Sequence, residues 1–232
     1  MPDLWIDLLG CLHLHGGTDE GFDGKDVTTF DGASQQLQYH RVFGGQLLGQ
    51  FVRAAQLTSP DKTVKSLHAV EDGPEHQEPE HVPALLDEKH RAELGLIPWE
   101  TRCAEDLNAI AAGPPRSEVW MRTPAVDIDP APALTAYATD LTLIGTALRP
   151  LEGFNHSGNG TLFTSAVTSH TVWFHRPFRT DHWLLLRQHS PVLAHGRCFG
   201  RGDVLTEDGT LVASYAQEAL LSFRDCAETD TA

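Results

Sequence analysis

The run ALTAYATDLTLIGTAL, Ala133 to Leu148, sets Leu134, Tyr137, Leu141, Ile144 and Leu148 on one stripe at helical spacing, which predicts a buried central helix. A loop from Pro150 to Gly160, rich in Gly and Asn, follows it. Then come β-like runs at Ser165 to Phe178, Trp183 to Ser190, Gly196 to Leu205 and Thr210 to Phe223. Glu207-Asp208-Gly209 joins the last two as a hairpin signal, because glycine reaches positive φ without a Cβ clash. Ahead of the helix, Glu118 to Thr123 alternates like a strand. A helix wrapped by an antiparallel sheet places this half in the α+β class.

The same order recurs upstream. Gln46 to Leu57 puts Leu47, Leu48, Phe51, Val52 and Ala55 at helical spacing, with Gln46, Gln50, Arg53 and Gln56 opposite. Gly44-Gly45 opens this helix, Ser59-Pro60 stops it, and Thr63 to Val70 reads as a strand. Ser66-Leu67-His68-Ala69 on that strand and Ser169-His170-Thr171 on the later one suggest an internal duplication. Between the halves lies an acidic, proline-bearing stretch from Glu71 to about Pro83, then a weak helical pattern from Ala84 to Leu94. The expected organisation is a first repeat over 1–70, a linker with a short helix over 71–116, a second repeat over 117–225 and a tail over 226–232.

With 232 residues, 41% hydrophobic, the chain can bury a core, and a net charge of -15 excludes a general nucleic-acid binder, which needs a basic face. No run of about 18 apolar residues marks a membrane span, and Asp3 and Asp7 stand where a signal peptide carries Lys or Arg. The expectation is a cytoplasmic protein. Cys11, Cys103, Cys198 and Cys226 lie far apart with no CxxC pair, so reduced thiols are expected. His13 and His15 have no HExxH or carboxylate companion, and no metal is expected. Arginines concentrate at Arg176, Arg179, Arg187, Arg197 and Arg201, which suits either an anionic ligand or a solvated strand face.

Four segments resemble the type II acyl-CoA thioesterases. They are Arg41-Val42-Phe43-Gly44-Gly45-Gln46 with its helix, Ala136-Tyr137-Ala138-Thr139-Asp140, the string WFHRPFR from Trp173 to Arg179, and DGTLVASYAQE from Asp208 to Glu218. They occur in the family's order. The resemblance implies a double hot-dog, each repeat a central helix wrapped by an antiparallel sheet, with the site where the repeats meet. It also implies hydrolysis of an acyl-CoA or acyl-carrier thioester without metal or organic cofactor, CoA being part of the substrate. An acidic residue, a Ser or Thr, and a Gln would hold the attacking water. Asp140 and Gln217 map to two of these, and Gly44, Gly45, Gln46, Tyr137, Arg176 and Arg179 are the substrate-binding candidates. The residues agree in part: desolvation at the stripe edge would make Asp140 a stronger base, and Gln217 shares a strand face with Ala213, Tyr215, Ala219 and Leu221.

Two departures follow from the same alignment. The family's Ser or Thr falls on Val167, so the hydroxyl must come from Ser169, on the same face, or from Thr168 if a bulge shifts the strand by one residue. And Val70 runs straight into the acidic stretch, so the first repeat lacks several strands. A helix face carrying Leu47, Phe51 and Val52 is then left for a second copy to cover, which predicts a homo-oligomer. Besides hydrolysis, two readings remain: a repurposed hot-dog enzyme catalysing elimination, isomerisation or cyclisation on a thioester-bound intermediate, and a non-catalytic acyl-thioester binding protein.

Overall fold

A computed structural model describes residues 4–20, 26–35, 42–70, 97–103 and 106–224. In chain order the elements are α1 (Leu4–Leu12), β1 (His15–Glu20), β2 (Asp26–Asp31), α2 (Gly44–Thr58), β3 (Ser66–Val70), β4 (Glu100–Cys103), β5 (Arg116–Arg122), α3 (Ala131–Thr139), α4 (Leu143–Leu148), β6 (Phe163–Phe174), β7 (Leu184–Ala194), β8 (Arg197–Thr206) and β9 (Leu211–Phe223). The linker expected over 71–96, with its helix at Ala84 to Leu94, and the tail from 226 lie outside the described residues.

The four β-like runs of the second half are β6 to β9, within a few residues of their expected bounds. They belong to a seven-stranded antiparallel sheet in the order β3-β6-β9-β8-β7-β5-β4, and β1 and β2 form a separate hairpin. The alternation that marked β8 is its burial pattern: Cys198, Gly200, Gly202 and Val204 are buried while Arg197, Phe199, Arg201 and Asp203 are exposed. The β8–β9 turn is the one expected, with Gly209 at φ 83. The β7–β8 turn has His195 at φ 52 and Gly196 at φ 69, a two-residue hairpin in which both central residues take positive φ.

The expected helix over Ala133 to Leu148 is two helices. α3 ends at Thr139, Asp140 is its C-cap, and α4 begins after Thr142. Tertiary hydrogen bonds explain the break. Gln188 on β7 donates from Nε2 to Thr142 Oγ1 and to Tyr215 Oη (2.8 Å), and its Oε1 accepts from Thr146 Oγ1 (2.8 Å) and Ser117 Oγ (3.2 Å). Thr139 Oγ1 bonds back to Ala136 O at 2.9 Å, which also competes with a continued helix.

α2 lies antiparallel against α3. A Cβ on Gly45 would sit 2.7 Å from Tyr137 O, and one on Gly49 3.2 Å from Ala133 O, so glycine permits this close approach. The buried side of α2 is therefore Gly45, Leu48, Gly49 and Val52, with Gln46 also buried; Leu47 is half-buried and Phe51 is 52% exposed. This corrects the expected apolar face, from which Val52 is withdrawn into the core.

β3 pairs with β6 from Ser66↔Trp173 to Val70↔Ser169, so the two Ser/His strand motifs lie directly against each other. From Val70 the chain reaches Ile97 in fewer residues than the stretch 184–223 that β7 to β9 occupy. The first repeat is shortened accordingly. Residues 100–103, expected within the linker, instead form β4 and pair with β5. Charge hid this strand: Arg102 and Arg122 both cover the Trp183 ring (4.8 and 4.6 Å to its centroid) and both bond the Glu100 carboxylate, which they hold below the usual carboxylate range. The N-terminal α1 was also not anticipated; it buries Leu8, Cys11 and Leu12.

Candidate active site

Asp140 is placed by the end of α3, its side chain only 4% exposed. Its Oδ1 lies 3.7 Å from His170 Nδ1 on β6. His170 is itself 1% exposed, with Nε2 3.0 Å from Thr139 Oγ1 and its ring stacked on Tyr215 at 6.4 Å between centroids and 16° between planes. Gln217 on β9 stands opposite His170 in register and is 3% exposed. Neither atom of its amide has a hydrogen-bond partner among the described residues. A buried polar group without a partner costs on the order of 1–3 kcal/mol, so a core that keeps one marks a place where a ligand group belongs.

A bulge decides which side chains reach this site. β6 pairs Val167 with Ala219 and then Ser169 with Glu218, so one extra residue, Thr168, is inserted. Up to the bulge Phe163 and Val167 face the helices; beyond it His170, Val172 and Phe174 do. The bulge therefore sets Thr168 and Ser169 out of step with the side chains that face the helices. Thr168 Oγ1 donates to Glu218 O and Oε2 (both 3.2 Å), and Ser169 pairs with Glu218 on one side and Val70 on the other, facing away from Asp140. His170 arrives in their place. The signal was present in the sequence as a change of apolar parity, from Phe163 and Val167 to Val172 and Phe174, which needs an odd insertion between them.

The substrate-binding candidates divide. Gly45 is buried against α3, and Gly44, half-buried, opens α2 beside the last turn of α3. Gln46 Oε1 accepts from Gln35 N (3.0 Å) and its Nε2 donates to Ala33 O (3.4 Å), which ties down the segment before α2. Tyr137 is a core residue, edge-on to Phe43 and Trp99, and burial pushes its hydroxyl pKa well up. Arg176 donates to Leu211 O (2.6 Å), and Arg179 is paired with Asp181 and with Val126 O. Ala138, Leu141 and Thr142, near Asp140 in the chain, line a small pocket of ≈ 10 Å³, room for about one water, together with Trp99, Met121 and Leu186. Burial raises the thiols of Cys11 and Cys198 to about 11, which leaves neither as a ready thiolate. Among the described residues, no group of three or more His, Cys, Asp and Glu could hold a metal, and no helix is long and apolar enough to cross a membrane.

Burial also lowers the His170 pKa from 6.5 to about 4. The neighbouring Gln217 side chain pulls the other way, and desolvation outweighs it. Between these values the unfolded chain binds the proton and the folded chain does not. Stability from this residue is therefore full above pH 6.5 and is lost as pH falls toward 4, by roughly 3 kcal/mol. Urea melts across that window should show the slope in the native chain and a flatter one in His170→Asn; equal slopes would show that His170 is not neutral in the fold.

Residues 66–221 match the acyl-CoA thioesterase C-terminal domain family. The chain is 28% identical to acyl-CoA thioesterase 2 of Haemophilus influenzae over 97% of its own length and 100% of that protein. That alignment spans 302 positions against 232 residues here, so the relative carries stretches with no counterpart in this chain. It is 31% identical to acyl-coenzyme A thioesterase 8 of Rattus norvegicus over 59% of its length, and spans 44% of that protein. Among solved structures, a tesB protein of Mycobacterium avium subs paratuberculosis superposes with a TM-score of 0.67 at 20% identity, covering 94% of this chain and 99% of that one. The fold is the double hot-dog with a shortened first repeat.

Proposed function

Because this chain belongs to the acyl-CoA thioesterase family, we propose that it hydrolyses acyl thioesters with a water held between Asp140 and Gln217. The observation that carries this reading is the buried Gln217 amide without a hydrogen-bond partner among the described residues, opposite His170, whose ring lies 3.7 Å from Asp140. Asp140 accepts a proton as the water oxygen adds to the thioester carbonyl carbon. The oxyanion is met by the Gln217 amide N–H and by the first N–H groups of α2 at Gly44 and Gly45, whose helix dipole favours negative charge there. Collapse breaks the C–S bond, Asp140 returns the proton to the leaving thiolate, and acid and thiol depart. The pantetheine arm, from CoA or a carrier protein, enters from the side of the shortened repeat.

A panel of acyl-CoA and acyl-carrier thioesters scored by mass spectrometry tests this, with free thiol as the expected product. An altered acyl group on an intact thioester would instead establish the repurposed-enzyme reading, which the inward Val167 and outward Thr168 and Ser169 favour. Saturable binding without turnover would leave a binding protein.

Self-association belongs to the same proposal. Phe51 is 52% exposed and Leu57 44% exposed on α2, on a face that further strands of the first repeat would otherwise cover. Phe51→Glu is expected to shift the chain to monomer in sedimentation at micromolar concentration. A native chain already monomeric under those conditions would remove the oligomer from the proposal.

A further inference from the structure

Resting on the hydrolytic reading, we propose that Gln188 is a positioning residue: the two N–H groups of its buried amide tie the helix end that carries Asp140 to the strand that carries Gln217, and so set the spacing at which those two side chains act. Gln188 works through Thr142 and Tyr215 rather than on the reacting atoms. It stands on β7 in a row across the sheet, paired with Gly202 of β8, which is paired in turn with Tyr215 of β9. Gly202 leaves the middle of that row empty. A Cβ there would sit 2.5 Å from Tyr215 Cζ and 2.6 Å from its Oη, so the phenol lies across β8 only because position 202 has no side chain. Its hydroxyl thereby reaches Gln188 Nε2 at 2.8 Å. Tyr215 is two residues from Gln217 on the same face of β9, and it stacks on His170, which stands opposite Gln217.

The second N–H holds the helix end. Past Thr139 the chain tightens, with Asp140 N–H on Tyr137 O (3.4 Å) and Leu141 N–H on Ala138 O (3.3 Å), and Thr142 leaves helical geometry at φ -126. Thr142 is the N-cap of α4, where a threonine hydroxyl ordinarily accepts from the free N–H groups of its own helix. Here it makes no such bond and accepts instead from Gln188 Nε2. Its carbonyl is held as well, by the Thr146 N–H at 3.0 Å. Gln188 Oε1 accepts from Thr146 Oγ1 (2.8 Å) and Ser117 Oγ (3.2 Å), which keeps the amide from turning over. With both donors and the acceptor engaged at a residue 1% exposed, the link is rigid. A misplacement of about 1 Å at the reacting atoms costs on the order of 10²-fold in rate, so such a link governs turnover without touching substrate.

Gln188→Met keeps the shape and removes both donors; it should lower kcat on the best panel substrate by about 10²-fold with KM near its native value. Added to Asp140→Asn it should cost less than about 10-fold more, because a base that is gone cannot be misplaced. An unfolded fraction or general loosening would scale both backgrounds alike, so a further loss of about 10²-fold overturns the proposal. Milder changes test each end of the link should Gln188→Met fail to fold. Thr142→Ser keeps the hydroxyl and should stay within about 3-fold of native, whereas Thr142→Val, and Tyr215→Phe with its ring retained, should each lose about 10-fold or more. Equal turnover in all three overturns the proposal. One readout needs no activity: the carbon-13 Cα shifts of Asp140 and Leu141 should move toward helical values in Gln188→Met or Thr142→Val and stay native in Thr142→Ser. Unmoved shifts overturn the proposal whatever the turnover. A native chain that releases no thiol from any panel member sinks the hydrolytic reading and this role with it; thiol release with unmoved shifts or fully multiplied losses sinks the role alone.

Discussion

Asp140→Asn is expected to lower turnover by roughly 10²-fold to 10⁴-fold while substrate saturation stays near its native value. The change keeps the volume and removes the anionic proton acceptor. Asp140 caps α3, yet its bond there comes from the backbone N–H whichever side chain is present, and Asn is as acceptable as Asp at a helix terminus. Thermal melting should accordingly move little. The reading depends on where this carboxylate sits: 4% exposed and 3.7 Å from the His170 imidazole, which in turn stands opposite the buried Gln217 amide. Unchanged turnover in the Asn variant, on the substrate the panel identifies, would remove Asp140 from the chemistry.

Gln217→Met should move stability and activity in opposite directions. Met matches the shape of Gln without its polar atoms, and both amide atoms of Gln217 are buried with no partner among the described residues. Replacing an unsatisfied amide by an apolar group relieves a desolvation cost of about 1–3 kcal/mol, so Tm should rise. Removing an oxyanion donor should reduce kcat by about 10²-fold to 10³-fold. A variant that melts lower than the native chain would show that the amide is satisfied in the fold, and would take away the observation on which the hydrolytic reading stands.

Much of the fold was legible because its signals are local. Residues of β8 and β9 alternate with a period of two along a sheet buried on one face, and the Leu134 to Leu148 stripe reports the helical turns of α3 and α4 packed on that face. β4 was not legible. Its four residues bear Glu100 and Arg102, and what holds them is the Trp183 ring and Arg122, supplied by other parts of the chain. The exposed face of α2 was read in part: Phe51 is outside, but contact with α3 at Gly45 and Gly49 rotates Val52 inward.

The candidate site divides along the same line. The resemblance to the thioesterase family, carried by four segments of the sequence, pointed to Asp140 and Gln217 as candidates and put Val167 where that family has a Ser or Thr. Tertiary structure decided three things: that Asp140 ends a helix rather than lying within one, that Thr168 and Ser169 turn outward, and that His170 turns inward. Each depends on a partner distant in sequence. Gln188 draws Thr142 and Thr146 away from a continuous helix, and pairing with β9 accommodates one extra residue in β6. A bulge exchanges inward for outward beyond it at the cost of a single unpaired residue, so stretches on either side alternate equally well. Only the strand across from them determines which side chains reach Asp140.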